Sequence, residues 1–251
     1  MPRPVDLGRR IVREIGGTLL LFWRAWTRRP PPGEVLREVA DLFVRTLPLN
    51  LAAMAFVGAV VMVDGGTQVE RLFGDPAGVG PAVLELLVRE FGPTFAAVIA
   101  ATRIGAGIAA ELSAMRVSEQ IDALELTAAD PIRELVAPRA RAALLALVGL
   151  GFLSTLAAAY TGAWTARIAF GSRPGAFLDT SLVDRGDVLV ALVKCVAFGL
   201  AIPVIAARAG LTASGGAPAV GRATTRGVVA SIVAVVVIDL AVGAGALVLG
   251  V

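Results

Sequence analysis

The sequence predicts an all-α integral membrane protein, with about five transmembrane helices preceded by an N-terminal interfacial amphipathic helix. Apolar residues make up 57% of the 251-residue chain and charged residues only 17%, beyond the ~45–50% apolar share of soluble domains. The mean hydropathy is +0.79. The apolar residues also gather into runs near the ~20 residues that a helix needs to cross a bilayer. Such spans consume most of the length, which leaves one membrane domain over residues 47–251 behind a cytoplasmic or interfacial arm over residues 1–46.

In the arm, Ile11, Ile15, Leu19, Phe22, Trp23 and Trp26 recur at helical spacing among Arg9, Arg10, Arg13, Arg24, Arg28 and Arg29. A basic, Trp-bearing amphipathic helix lies in the membrane interface. A signal peptide is the competing reading, but the apolar stretch is short, Gly-interrupted and followed by Arg24 rather than by a small-residue cleavage site. Pro30-Pro31-Pro32-Gly33 then breaks the helix, and a second amphipathic helix carries Val35, Val39, Leu42 and Phe43 towards the first span. The spans themselves read as about 47–63, 82–110, 142–164, 188–207 and 228–250.

An odd number of spans puts the two termini on opposite faces. Arginines number nine in the arm, five over 103–141 and three over 208–226, against four in the intervening loops 64–81 and 165–187. The positive-inside rule therefore places the N-terminus and the segment around 111–138 in the cytoplasm. Small residues at Gly105, Gly107, Gly149, Gly151, Gly162, Gly243 and Gly245 mark places where spans could pack closely.

The residue inventory excludes several kinds of chemistry. The chain has no histidine, which removes the commonest general base and zinc ligand. Its one cysteine, Cys195, lies in an apolar run, permits no intrachain disulfide and reads as a buried apolar residue. No metal-ligand cluster or catalytic set is present. The single lysine, Lys194, sits in Leu192-Val-Lys194-Cys-Val, so no Gly-x-x-x-x-Gly-Lys-Ser/Thr phosphate loop exists and any ATP-driven step needs a nucleotide site on another chain. The formal charge of +3 is explained by arginines near membrane surfaces, with no nucleic-acid partner expected.

Two polar groups stand out. The first is the charge-dense segment between the second and third spans. There Ser118 is expected as an N-cap with Glu119 in the first helical turn. Val117, Ile121, Leu124 and Ala128 would form one side of a short helix, with Glu119, Asp122 and Glu125 on others. Asp130-Pro131 reads as a cap followed by proline at the first position of the next helix. On pattern alone the segment is either a transverse helix held between spans or a solvated loop. The second group is intramembrane charge: Arg89, Glu90, Lys194 and Asp239, with Lys194 and Asp239 roughly 10 and 16 Å inside the outer ends of their helices at ~1.5 Å per residue. A charge at the bilayer centre costs ~2.5–3.5 kcal/mol on insertion scales, so such groups pair or line a wet cavity. Interfacial placement, snorkelling and a simple interhelical hydrogen bond are the alternatives. Arg103 is a candidate structural partner for Glu111.

Leu87-Val-Arg89-Glu90-Phe-Gly92-Pro93, the run Glu111-Leu-Ser-Ala-Met-Arg116-Val-Ser-Glu119-Gln120-Ile-Asp122-Ala-Leu-Glu125 with Asp130-Pro131, and Gly221-Arg222-Ala-Thr-Thr-Arg226 together resemble the MlaE (YrbE) family of lipid ABC-transporter permeases. The resemblance runs from about Leu47 to the C-terminus. It implies a permease of the bacterial inner membrane that moves lipid, as a phospholipid transporter subunit, between that membrane and a periplasmic MCE-domain partner. It also implies a dimer with a second permease copy or paralogue, an ABC ATPase holding the ATP and Mg, and a small STAS-type cytoplasmic subunit. Under it the 111–138 segment becomes the coupling segment, with Ser118, Glu119, Gln120, Asp122 and Glu125 at the ATPase. Arg89 or Lys194 becomes the lipid-phosphate ligand in a central cavity, with Glu90 and Asp239 as counter-ions. Ala209-Gly210 stands where the family often has Gly-Tyr, which leaves subfamily and lipid open. The competing class is a proton-coupled secondary transporter using Lys194 and Asp239, which would ordinarily show an inverted repeat that this sequence lacks.

Overall fold

The computed structural model describes residues 4–73 and 79–250. All regular structure among them is helical. Helix α1 covers Pro4–Thr27 and α2 covers Glu34–Phe73. Next come α3 (Val79–Val117), the short α4 (Gln120–Leu126), α5 (Ile132–Phe170), the single-turn α6 (Pro174–Phe177), α7 (Arg185–Leu211) and α8 (Ala217–Leu249). Five of these, α2, α3, α5, α7 and α8, are long and apolar enough to cross a membrane. The expected count of five spans agrees.

Their lengths differ from expectation. The segment read as a second amphipathic helix is continuous with the first span, because nothing between Glu34 and Phe73 stops a helix and Pro48 is absorbed within it. Residues 64–73, expected in a loop, extend the same helix, while 74–78 lie outside the described residues. The loop expected over 165–187 is likewise shortened at both ends and interrupted by α6. Hydropathy locates apolar windows, but backbone hydrogen bonding carries each helix on into polar sequence.

Three turns depart from α-geometry: Leu87–Phe91, Ala101–Gly105 and Ile132–Val136 are π-helical. Two of them share a cause written in the sequence. Pro93 and Pro138 have no N–H to offer the carbonyl four residues back and crowd it sterically. Just before each, the backbone N–H of Gly92 reaches Leu87 O and that of Ala137 reaches Ile132 O, five residues back. The widened turn absorbs the proline without breaking the helix. Pro48 and Pro203 sit in helices with no such turn, so proline alone is not sufficient. The first π turn carries Arg89 and Glu90.

The chain divides into two compact units. One comprises residues 1–42, 101–145 and 199–234, the other 43–100, 146–198 and 235–251. In the second unit Met54, Met62, Val79, Val83, Leu87, Ala158, Ala163, Ala166 and Phe177 form a buried cluster. Close approach of α2 to α5 depends there on Gly58, where a Cβ would lie 2.6 Å from Ala158 Cα. Gly149, Gly151 and Gly162 on α5 are packed as expected, against Phe43, Cys195 and Phe177. Gly107, Gly243 and Gly245 face open space within this chain, so the expectation of close packing does not hold for them.

In the first unit, α1 turns Leu21 and Ala25 inward and leaves Ile15, Leu19, Leu20 and Trp23 exposed. A helix with an uncovered apolar stripe beside arginines suits the membrane interface.

Candidate functional site

Lys194 is the least expected residue at its position: an ammonium on α7 whose side chain has no exposed surface. Leaving it alone there would cost several kcal/mol. Its Nζ is bonded to Glu90 Oε2 of α3 and lies 2.9 Å from Asp239 Oδ1 of α8. The same Asp239 oxygen accepts the Thr94 hydroxyl at 2.7 Å. One turn of α3 away, Arg89 donates to Asp187 Oδ1 at 2.8 Å and approaches Glu90 Oε1 at 3.9 Å. Asp187 is 4% exposed, and its other oxygen accepts the backbone N–H of Asp184 at 2.8 Å, at the start of α7. Three helices are thus tied by two cations and three carboxylates, all within the second unit.

All four charges singled out from the sequence come together here. Snorkelling, the alternative for Lys194, does not fit its side chain, whose stem and head are both enclosed. The same enclosure changes its expected role: with two carboxylates on Nζ and no accessible surface, it has no face on which a lipid phosphate could land. Arg89, Glu90 and Asp239 keep partial exposure, at 26%, 33% and 26% of their side chains. Sequence reasoning missed Asp187 and Thr94. Asp187 lies seven residues before Lys194, two helical turns down one face, and that spacing was the available signal. A second buried polar pair joins α2 to α5, where the Ser154 hydroxyl meets Asn50 Oδ1 at 2.5 Å.

The charge-dense segment belongs to the first unit. Here Ser118 is corrected: it ends α3 rather than capping α4. Its hydroxyl donates back to Ala114 O at 2.8 Å, and its N–H bonds the same carbonyl at 3.0 Å. The chain then turns through Glu119, at φ 59°, a left-handed conformation that costs a non-glycine residue free energy. Helix α4 follows, with Asp122 held by Arg116 at 2.5 Å. Of the expected apolar ridge, Ile121 alone is buried, while Ala128 lies past the helix end at φ 60°. Glu119, Gln120, Asp122 and Glu125 are exposed as anticipated. Leu126, which the ridge omitted, is 89% exposed beside them. The cap at Asp130 holds: its Oδ1 accepts the Ile132 N–H at 3.0 Å, with Pro131 first in the helix.

The start of α5 also grips the end of α1. Arg141 donates to Trp26 O at 3.1 Å and Arg28 O at 2.7 Å, with its guanidinium 6.0 Å from the Trp26 ring centroid. Arg133 donates to Arg29 O at 3.2 Å, and Arg28 pairs with Asp130 at 3.2 Å. These contacts satisfy carbonyls that a helix C-terminus leaves orphaned and place positive charge at the negative end of its dipole. Glu111, expected to pair with Arg103, receives Arg139 at 3.1 Å. No group of three or more His, Cys, Asp or Glu side chains arranged to hold a metal occurs among the described residues.

A family model described as Permease MlaE matches residues 35–244. A probable ABC transporter permease protein of Rickettsia prowazekii is 33% identical over 205 residues, covering 81% of this chain and 79% of that one. One from Synechocystis is 36% identical over 195 residues, 76% of this chain and 73% of its own. The chloroplastic protein trigalactosyldiacylglycerol 1 of Arabidopsis thaliana is 29% identical over 238 residues, covering 94% of this chain and 65% of that protein.

Replacing Lys194 by Met strands Glu90 and Asp239 beside one another. Its cost is expected at the lower end of ~3–5 kcal/mol because both carboxylates keep some exposure. Asp239→Asn leaves Glu90 on the ammonium and still accepts from Thr94, for about 1 kcal/mol. Thermal unfolding in detergent should rank the two in that order. Arg141→Ala should release the end of α1, read as faster amide exchange over residues 24–29 with the exchange of α7 and α8 unchanged.

Proposed function

The chain belongs to the MlaE family of ABC-transporter permeases, and from that premise we propose that it is the membrane subunit of an ATP-driven lipid transporter. As an ABC permease and a multi-pass membrane protein it works with an ATPase. The lipid cargo is supported by the relative whose name is that of a galactolipid, and for this chain we propose a phospholipid. The assembly we propose has two permeases, as a homodimer or with a paralogue, two ATPases carrying ATP and Mg, a periplasmic MCE-domain partner and a small STAS-type subunit. ATP hydrolysis belongs to the ATPase chain, since this chain has no phosphate loop to hold nucleotide.

The observation that carries the mechanism is α4. It is a short helix between two spans, anchored by Ile121 and presenting Glu119, Gln120, Asp122, Glu125 and Leu126 outward. An exposed leucine ringed by carboxylates is suited to a groove with an apolar floor and a basic rim. We take this to be the ATPase contact. Motion there would pass through Asp130 to Arg28 and through Arg133 and Arg141 to the end of α1, so that the interfacial helix and α5 move with the coupling segment. The ion cluster would serve as the rigid wall of the lipid path, with the partly exposed Arg89 as its headgroup-facing cation and Lys194 as the brace behind it.

Reversal of Glu119, Asp122 and Glu125 to Arg should lower ATPase copurification about tenfold or more, because opposed like charges at an interface cost several kcal/mol. Leu126→Asp, which leaves the Arg116–Asp122 pair intact, should do the same. ATPase recovery at the parental level from both variants would remove α4 from the coupling role. The expected orientation has the N-terminus and α4 in the cytoplasm of a bacterium, below its inner membrane. In a Cys195→Ala background, Ser181→Cys should react with a membrane-impermeant thiol reagent in intact cells, and Ser214→Cys only after the inner membrane is opened. The reverse pattern would invert the topology.

A further inference from the structure

In the second unit, α3, α5 and α7 leave a cleft of about 400 Å³ whose lining includes none of the charged residues of the ion cluster. Val88, Pro93, Phe152, Leu156, Val188 and Leu192 line it. We propose that this cleft holds a single acyl chain of a bilayer lipid, with the headgroup at the end marked by Arg89 and Asp187. On α7 the lining residues Val188, Ala191, Leu192 and Cys195 repeat at helical spacing, a different stripe from Asp187 and Lys194. The cleft therefore sees none of the ammonium.

Chemistry narrows the occupant. Thr155 and Cys195 are the only polar side chains in the lining, and the Thr155 hydroxyl already donates to Gly151 O at 3.0 Å. Water needs 2–4 polar partners to reside in a cavity, and these walls do not supply them. A polar ligand would lose its hydrogen bonds there. An unfilled cleft forfeits dispersion contacts along its whole length.

What fits is a flexible hydrocarbon chain, and the volume lies in the ~300–1,000 Å³ range of small-molecule sites. Phe152, Leu156, Val188 and Leu192 are all exposed at the lips, so the chain can enter sideways from the bilayer. Polarity appears at one end only. Val183 and Val188 bracket the turn where Asp184, Asp187 and Arg89 are bonded together. That end is the start of α7, where an ester and headgroup meet polar atoms. The occupant is accordingly a resident lipid of the bilayer, and the inference holds whether or not the transported molecule is a lipid.

The full chain reconstituted in phosphatidylglycerol vesicles, with a fraction of the lipid carrying a diazirine in one acyl chain, provides the test. Photolysis and peptide mapping should concentrate cross-links on Phe152, Leu156 and Val188–Leu192. The exposed Val233, Val236 and Val237 of α8 serve as the bulk-lipid reference. Ala191→Phe fills the cleft and should lower its cross-links about tenfold relative to α8, the loss expected when a few buried methylenes lose their contacts. Val148→Phe approaches from another helix and should do the same, which covers the case in which Ala191→Phe fails to fold. Equal labelling of cleft and α8 in the parent protein, or a ratio unmoved by whichever variant folds, would overturn the proposal. ATPase-driven transport assays play no part in either outcome, so failure here leaves the ABC-permease reading intact.

Discussion

An ammonium with no exposed surface inside a membrane helix is tolerable only if anions come to it, and that requirement organises the second unit. Glu90 and Asp239 reach Lys194 from α3 and α8, so three spans distant in sequence must hold one register. Because removing either kind of partner leaves buried charge, the cluster penalises every arrangement in which the helices slide. Thr94 and the Arg89–Asp187 pair extend the constraint by about a turn in each direction. The π turn at Leu87–Phe91 is part of the same arrangement, since it rotates Arg89 and Glu90 relative to the helix that follows.

The first unit solves a different problem with the same residue type. Helix ends near a membrane surface leave carbonyls without donors, and arginine can satisfy several with one planar fork. Arg141 spans Trp26 O and Arg28 O, Arg133 takes Arg29 O, and Arg28 closes on Asp130. The Pro30–Gly33 breaker is therefore framed by contacts although it cannot be helical. Asp130 has two functions at once, capping α5 through one oxygen and holding Arg28 through the other. A short helix with one buried residue and a charged outer face, set between two such anchor points, can be displaced as a body.

Charge and apolar space are kept apart on α7. One stripe carries Asp187 and Lys194 into the ion cluster, while the adjacent stripe of Val188, Ala191, Leu192 and Cys195 faces the cleft. A single helix thereby presents a polar wall and a hydrocarbon wall without exposing either to the wrong medium. Cys195 is in keeping with this: burial raises no hydrogen-bonding demand from a thiol comparable to that of a hydroxyl.

The sequence by itself determined the helical membrane class, the five spans and the positions of the intramembrane charges, because hydropathy and the cost of burying ions are local properties of side chains. It also located the Asp130-Pro131 helix start, since a cap needs only its own next two residues. Tertiary structure decided what those charges do. Whether Lys194 snorkels or is enclosed depends on Glu90 and Asp239, 104 and 45 positions away, and no periodicity encodes such a meeting. Ser118 shows the same limit at short range: serine offers its hydroxyl equally well to the helix behind or the helix ahead, and the left-handed turn at Glu119 settled the choice. Asp187 and Leu126 went unnoticed because each looks ordinary alone, one an acid near a helix start and the other a leucine in an apolar pattern. Their significance comes from what surrounds them, Arg89 in the first case and no covering side chain in the second.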